Sequence, residues 1–407
     1  MKARERIIIL LILLPAFFLA GCAPISEMPR EISLDTQPHF DSIEDPGQMD
    51  DLDLASLEKA VALSVQYYEK VGVNGSSYYM GDKSYSSREM IDGLKKFLRI
   101  MRRDVSPEEK ERKIREEFIL IRAGSTAGNG AGVEGNVLVT GYFEPILEGS
   151  RTRTDRFRYP LYKTPDETVI VPVDRFDSQD GRDKFVGRLH KGEVIPHFSR
   201  REIDGNGALD GRGLEIAWVD DQVALFLLHI QGSGKIRLPE GRLLHVTYAQ
   251  SNGWPFRGLT GMMLEKGFLK ENGKSYEQMK RFLLDHPEER QELMNYNERY
   301  VFFRIVTEGP LGALNLPLVA GRSIATDLDV YPRGALALIK TRKPVFDEQG
   351  RILSWKSFSR FVLNHDTGAA IKGPGRVDLF CGTGEKAERI AGAMKEKGEL
   401  YFLLLKK

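Results

Sequence analysis

Two aspartates in the last fifty residues of this 407-residue chain, Asp366 and Asp378, stand where a carboxyl can be tuned. Each lies at the edge of a short apolar run, 361–363 and 377–381, that reads as a strand. Between them runs the loop Thr367-Gly-Ala-Ala-Ile-Lys372-Gly-Pro-Gly, built of small residues and one cation. Small residues let a ligand or another backbone approach closely. An acid opening an apolar strand, near a second acid and a lysine, is a place where a pKa moves. Asp327, in the stretch LVAGRSIATDLD, is a third acid of the same region. The plainer reading is that aspartates beside glycines form turns by bonding their own backbone. On pattern alone Asp366 goes to a turn and Asp378 stays open. Gly382-Thr-Gly384-Glu-Lys-Ala387 imitates a dinucleotide fingerprint. The second strand with an acid about 20 residues on is missing, and Leu404 stands there instead, so that reading is rejected.

Two further clusters carry polar groups on a slim backbone. Thr140-Gly141-Tyr142 follows the run 137–139 and reads as a strand passing into a turn. Gln231-Gly232-Ser233 precedes a strand at 235–238, which a tight turn at 239–242 joins to another at 243–248. An amide, hydroxyls and aromatics suit a polyhydroxylated ligand, although plain turns have the same composition. No histidines fall at metal-ligand spacing, HExxH is absent, and His190 and His197 are isolated, so no metal or cofactor is expected. The glycine-rich stretch 124–135 lacks Gly-Lys-Ser/Thr and is not a phosphate loop.

The elements that must position these groups are mixed. Apolar spacing predicts helices over 52–71 and around 90–98. A capping box at Ser106-Pro-Glu-Glu109 opens a third helix through Phe118 and Ile121. One amphipathic helix covers 276–293, and another runs along Ala387, Ile390, Ala391 and Met394 until Gly398 ends it. Further strands are read at 169–173, 214–219, 301–306, 330–339 and 399–405, with a hairpin turning at 348–350.

The N-terminal residues form a charged start and a short apolar run ending in Leu19-Ala-Gly-Cys22. This resembles a bacterial lipobox, with Cys22 as the diacylated first residue of the mature protein. Several acyl chains anchor stably where one does not. Ala23, rather than aspartate, after the cysteine favours the outer membrane by resemblance to enteric sorting. Residues 23–50 are rich in Pro, Asp, Glu and Ser and read as a flexible tether. The 59 basic and 58 acidic residues nearly cancel, so no basic field points to nucleic acid. Cys22 and Cys381 are the only cysteines, so no disulfide is expected, and Cys381 reads as a buried core thiol.

The ordered motifs TGYFEP (140–145), HIQGSG (229–234), YAQSNGWPFRGL (248–259), VFFR (301–304), GRSIATD (321–327) and DTGAAIKGPGRVDLFCGTG (366–384) resemble the membrane-bound lytic murein transglycosylase A family. The likeness runs from about residue 135 to the C-terminus. It implies a mainly β fold with flanking helices: a six-stranded double-psi β-barrel with a smaller inserted β domain and a groove between them. The expected division is a leader at 1–21, lipidated Cys22 and tether at 22–50, the barrel domain from 51–149 and 255–407, and the insert at 150–254. The family's three aspartates map onto Asp327, Asp366 and Asp378, with Asp378 as the essential acid. Thr140, Gly141, Tyr142, Gln231, Gly232, Ser233, Tyr248 and Lys372 map onto the substrate groove. The chain departs from the family at Ala369, in place of a second glycine, and at Arg376-Val377 before Asp378. The implied partners are peptidoglycan glycan strands, the outer membrane through the lipid, and other cell-wall enzymes.

A single acid suffices for the implied reaction. Ordinary glycosidases use two carboxyls. In lytic transglycosylation the C6 hydroxyl of N-acetylmuramic acid attacks its own anomeric carbon, so no activated water is needed. One group protonates the leaving oxygen and then takes the C6 proton. Burial and a neighbouring Asp366 would keep Asp378 protonated, and Lys372 would oppose this if it lay close. Two alternatives stay open: an inverting hydrolase, which needs a second carboxylate roughly 6.5–9.5 Å from the first, and a non-catalytic peptidoglycan-binding lipoprotein.

Overall fold

The computed structural model describes residues 49–72, 77–80, 83–124, 136–172, 184–270 and 276–407. The leader, Cys22, nearly all of the tether and most of the glycine-rich stretch lie outside them.

Three helices open the described chain. Helix α1 (Leu54–Val71) starts at Asp53, whose carboxylate accepts from Ser56 N at 2.7 Å. A small hairpin, β1 (Ser77–Met80) and β2 (Lys83–Ser86), leads into α2 (Ser87–Met101). A reciprocal capping box of Ser86 and Glu89 opens α2. Helix α3 (Pro107–Glu117) does start at Ser106, but it stops at Glu117. Residues Phe118–Arg122 form strand β3 instead of continuing the helix. The run FILIR finds antiparallel partners in the last strand, and this pairing outweighs the helical period.

The chain then lays down β4 (Val137–Glu144) and, after Pro145 alone, β5 (Ile146–Ser150). There follow β6 (Tyr159–Tyr162), β7 (Thr168–Pro172), β8 (Lys184–His190), β9 (Glu193–Pro196) and β10 (Glu215–Val219). Helix α4 (Gln222–Gln231) precedes β11 (Ser233–Arg237) and β12 (Leu243–Ser251), the hairpin read from the sequence. Helices α5 (Leu259–Glu265), α6 (Tyr276–Asp285) and α7 (Pro287–Asn295) come next. The single helix expected over 276–293 is thus two, because Pro287 cannot continue α6 and instead opens α7.

After β13 (Val301–Val306) come β14 (Ser323–Ala325), the long hairpin β15 (Leu336–Phe346) and β16 (Ile352–Asp366), and then β17 (Arg376–Thr383). The strand expected from 330 begins only at Leu336. Helix α8 (Glu385–Ala393) and β18 (Lys395–Leu405) complete the chain, and Gly398 lies within β18 rather than ending the helix.

Strands β15, β16, β14, β17, β4 and β18 pair in that order, and β18 pairs back onto β15. This closed ring is the six-stranded double-psi barrel; β3 extends it from β18. Its parallel pairs are β14 with β16 and β4 with β17. Val139, Ile324, Leu338, Leu363, Val377, Leu379 and Phe402 fill one core with Leu57, Val61 and Phe97 of the first helices. Fully burying such a side chain is worth about 1.5–3 kcal/mol, which holds α1 and α2 to the barrel.

A second sheet, ordered β13-β12-β11-β5-β10-β6, has its own core of Leu147, Val219, Leu228, Ile236, Val246 and Phe303. Its strands run from Ile146 to Val306, beyond 150–254 at both ends. Strands β7, β8 and β9 form a separate three-stranded sheet.

Candidate active site

One cross-strand row holds the groups that matter. Ala325 on β14 pairs with Asp366 on β16 and, on its other side, with Asp378 on β17. Asp378 in turn pairs with Thr140 on β4. Strands lie about 4.8 Å apart, so the two aspartates start roughly 10 Å apart at the backbone, either side of a methyl group. Val377, Leu379 and Val139 alternate with this row and are buried in the barrel core. Asp378 and Thr140 therefore leave the opposite face of the wall.

The Asp378 carboxyl is nearly buried. Its Oδ1 accepts a hydrogen bond from Thr140 Oγ1 and lies 3.5 Å from Arg376 Nε. Burial raises its pKa above the usual carboxyl range, and Arg376 and Thr140 only partly offset this. Asp366 is half-buried and collects three donors: Tyr142 OH on Oδ2, and Ala313 N and Thr367 N on Oδ1, each at 2.9 Å. Burial nevertheless pushes its pKa up to about 6, against those hydrogen bonds and with help from Asp378. Tyr142 reaches Asp366 from β4 with its ring against Phe380. Burial and the Asp366 charge hold its phenol protonated, so it acts as a fixed donor.

Asp327 has a different surrounding. It is buried, its Oδ2 accepts from Gly373 N at 2.8 Å, and its carbonyl closes a turn onto Val330 and Tyr331. Lys372 Nζ lies 3.6 Å from both Asp327 Oδ1 and Asp329 Oδ2. Lys372, expected at the substrate groove, directs its exposed cation to these two carboxylates. Asp327 thus fastens the loop between the two other acids.

The other residues expected at a groove divide. Thr140 and Tyr142 lie within β4, not in a turn after it. Gly141 is a packing position: a Cβ there would come within 2.7 Å of Ala391 Cα and 3.1 Å of Cys381 Sγ, so α8 takes the space a ligand would need. Burial pushes the Cys381 thiol up to about 12. Gln231 ends α4, and Gly232 caps it at φ +78°, a conformation that favours glycine. Gln231 Oε1 accepts from Phe143 N at 3.2 Å, which sets the helix end beside β4. Ser233 and Thr247 share a 2.8 Å hydroxyl bond, and exposed Tyr248 donates to Gln250 at 3.0 Å.

Two residues went unremarked as site groups. Arg376 was noted only as a departure beside Asp378. Glu144, inside TGYFEP, is buried and accepts from Thr383 Oγ1 at 2.6 Å while Lys235 Nζ lies 3.2 Å away. It ties β17 of the barrel to β11 of the second sheet. A charge at the end of an apolar strand was the available signal.

A family model described as the MltA specific insert domain matches residues 138–304, and one described as the 3D domain matches 322–404. The chain is 30% identical to membrane-bound lytic murein transglycosylase A of Escherichia coli K12 over 67% of each chain. A crystal structure of membrane-bound lytic murein transglycosylase from Agrobacterium tumefaciens superposes with a TM-score of 0.70 at 31% identity, covering 87% of this chain and 93% of the other. E. coli MltA with bound chitohexaose shares the fold, with a TM-score of 0.66 at 22% identity over 93% of this chain and 96% of the other.

Proposed function

Because the chain belongs to the membrane-bound lytic murein transglycosylase A family, we propose that it cleaves peptidoglycan glycan strands between N-acetylmuramic acid and N-acetylglucosamine. Asp378 is the one acid of this reaction. It gives its proton to the glycosidic oxygen as the bond to the anomeric carbon breaks. The C6 hydroxyl of the muramoyl residue attacks that carbon, and its proton passes to the Asp378 carboxylate. The acid is regenerated, no water is consumed, and a 1,6-anhydromuramoyl end forms. The observation that carries the reading is the raised pKa of Asp378 on a row with Thr140 and, across Ala325, Asp366. The glycan lies in the groove between the barrel and the second sheet, which is the inserted domain. Tyr142 and Thr140 orient the acids, and Gln231 and Tyr248 border the groove.

Products made in ¹⁸O-labelled water decide between this and hydrolysis. Mass spectrometry should find anhydro ends without solvent oxygen. Reducing ends carrying the label would make the enzyme a hydrolase. Asp378→Asn should stay folded and lose about 10²–10⁴-fold or more in turnover; wild-type turnover would remove Asp378 from the role.

Cys22 is the lipidated residue that holds the enzyme at the outer membrane, facing the periplasm. Among the described residues no helix is long and apolar enough to cross a membrane. Cys22→Ser should abolish palmitate labelling and release the protein from membrane fractions. Unchanged labelling would refute the lipobox reading.

A further inference from the structure

Arg376 stands two residues before Asp378 on β17, so the two side chains leave the same face of the strand. The guanidinium Nε lies 3.5 Å from Asp378 Oδ1 and makes no hydrogen bond among the described residues. The contact is therefore electrostatic, and it becomes an ion pair once Asp378 has lost its proton. Thr140 Oγ1 donates to the same oxygen. No described residue donates to Oδ2. The two oxygens of the acid are thus inequivalent: one faces a hydroxyl and a cation, the other meets no donor among the described residues.

We propose that Arg376 is a positioning residue for the acid, facing the carbonyl oxygen Oδ1 of protonated Asp378 so that Oδ2 carries and delivers the proton. This rests on Asp378 being the proton donor. The physical reason is local. A cation favours electron density on the nearer oxygen, and an oxygen that already accepts a hydrogen bond is the poorer place for a proton. The same charge makes the buried acid more willing to release its proton. Without it, burial would hold the proton against the leaving oxygen.

The other groups facing Asp378 do not substitute for Arg376. On β4, Thr140 and Tyr142 are neutral donors. On β14, Ala325 carries no charge. On β16, Asp366 repels a second anion. On β17 itself, the Cys381 thiol is held neutral by burial. On β18, Lys395 pairs with Thr140, one strand further away, and is exposed.

The sign of the test follows. Protonated Asp378 is the active form, so turnover falls as pH rises through its titration. Removing a nearby cation makes the proton harder to lose and moves that fall to higher pH. The full chain is compared with Arg376→Gln, Arg376→Met and Arg376→Lys. Two quantities are read: the pH profile of kcat/KM on peptidoglycan, and the carboxyl ¹³C titration of Asp378, assigned with Asp378→Asn. Arg376 is about one-third exposed, and two different neutral replacements guard against one failing to fold. In both, the alkaline limb and the carboxyl midpoint should move up together by about one pH unit. Arg376→Lys, which keeps the cation, should return both most of the way to their wild-type positions. If limb and midpoint stay where they are in wild type, the proposal is wrong. If the midpoint moves and the limb does not, Asp378 is not the proton donor, and the proposed function falls together with this one.

Discussion

Three donors converge on Asp366, and its pKa still stands near 6. Donors favour the charged form; burial and Asp378 oppose it. The folded-state value is therefore above the ordinary 3.8. A carboxyl raised in this way gives its full stability below its unfolded pKa and loses it as pH rises through the folded one. Between about pH 4 and 6 the wild-type protein should lose stability that Asp366→Asn does not lose. The difference is bounded at about 3 kcal/mol. Urea unfolding of both proteins across that range measures it, and parallel pH curves would show that Asp366 titrates as an ordinary carboxyl. Asp366→Asn should also turn over more slowly than wild type, though faster than Asp378→Asn, because Asp366 acts through its neighbour.

At the scale of elements, α4 and β4 meet at one amide. Gln231 Oε1 holds Phe143 N–H, and the adjacent Tyr142 holds Asp366. Gln231→Ala would leave a partly buried backbone donor unpaired, a loss of about 1–2 kcal/mol. The melting temperature should drop, and binding of a soluble N-acetylglucosamine oligomer should weaken as the helix end shifts. An unchanged melt with weaker binding would make Gln231 a pure ligand contact. This junction marks the limit of what local pattern can say. The hairpin of β11 and β12, the strand at β13 and the start of α3 were legible because turn residues and caps act within a few positions. Helix α4 was missed because QVALFLLHIQ is apolar nearly all round and shows no amphipathic period. Strand β3 was misread because its partner, β18, lies near the far end of the chain. Likewise, the three acids could be listed from sequence. Only pairing across Ala325 joins Asp366 with Asp378 and leaves Asp327 to hold the loop.

At the scale of the molecule, the described chain begins with a clamp. Arg322, fully buried, donates to both oxygens of Asp50, to Ser56 Oγ, and to the carbonyls of Asp53 and Phe361. Arg360 and Lys343 close on Asp51. The segment thus fixes α1 to the barrel. From α1, Ser64 Oγ reaches His365 Nε2 at 2.9 Å, and His365 Nδ1 reaches Ser323 Oγ at 2.9 Å. His365 immediately precedes Asp366, so the clamp supports the row of acids through one buried imidazole. Burial keeps that ring neutral, with its pKa lowered to about 3. A protein of residues 49–407 keeps the whole clamp and should melt like the full chain, with the same turnover on soluble glycan. A protein of residues 54–407 leaves Arg322 without Asp50, and Arg360 and Lys343 without Asp51. Breaking even one of the two buried pairs costs about 3–5 kcal/mol, and losing the Asp53 cap adds about 0.5–2 kcal/mol. Against a usual total of about 5–15 kcal/mol this is severe. Calorimetry should show a much lower transition for the shorter protein, and turnover at a temperature where it is still folded should fall as Asp366 loosens. Equal melting of the two proteins would mean that α1 is held by its apolar face alone and that the buried arginine finds other acceptors.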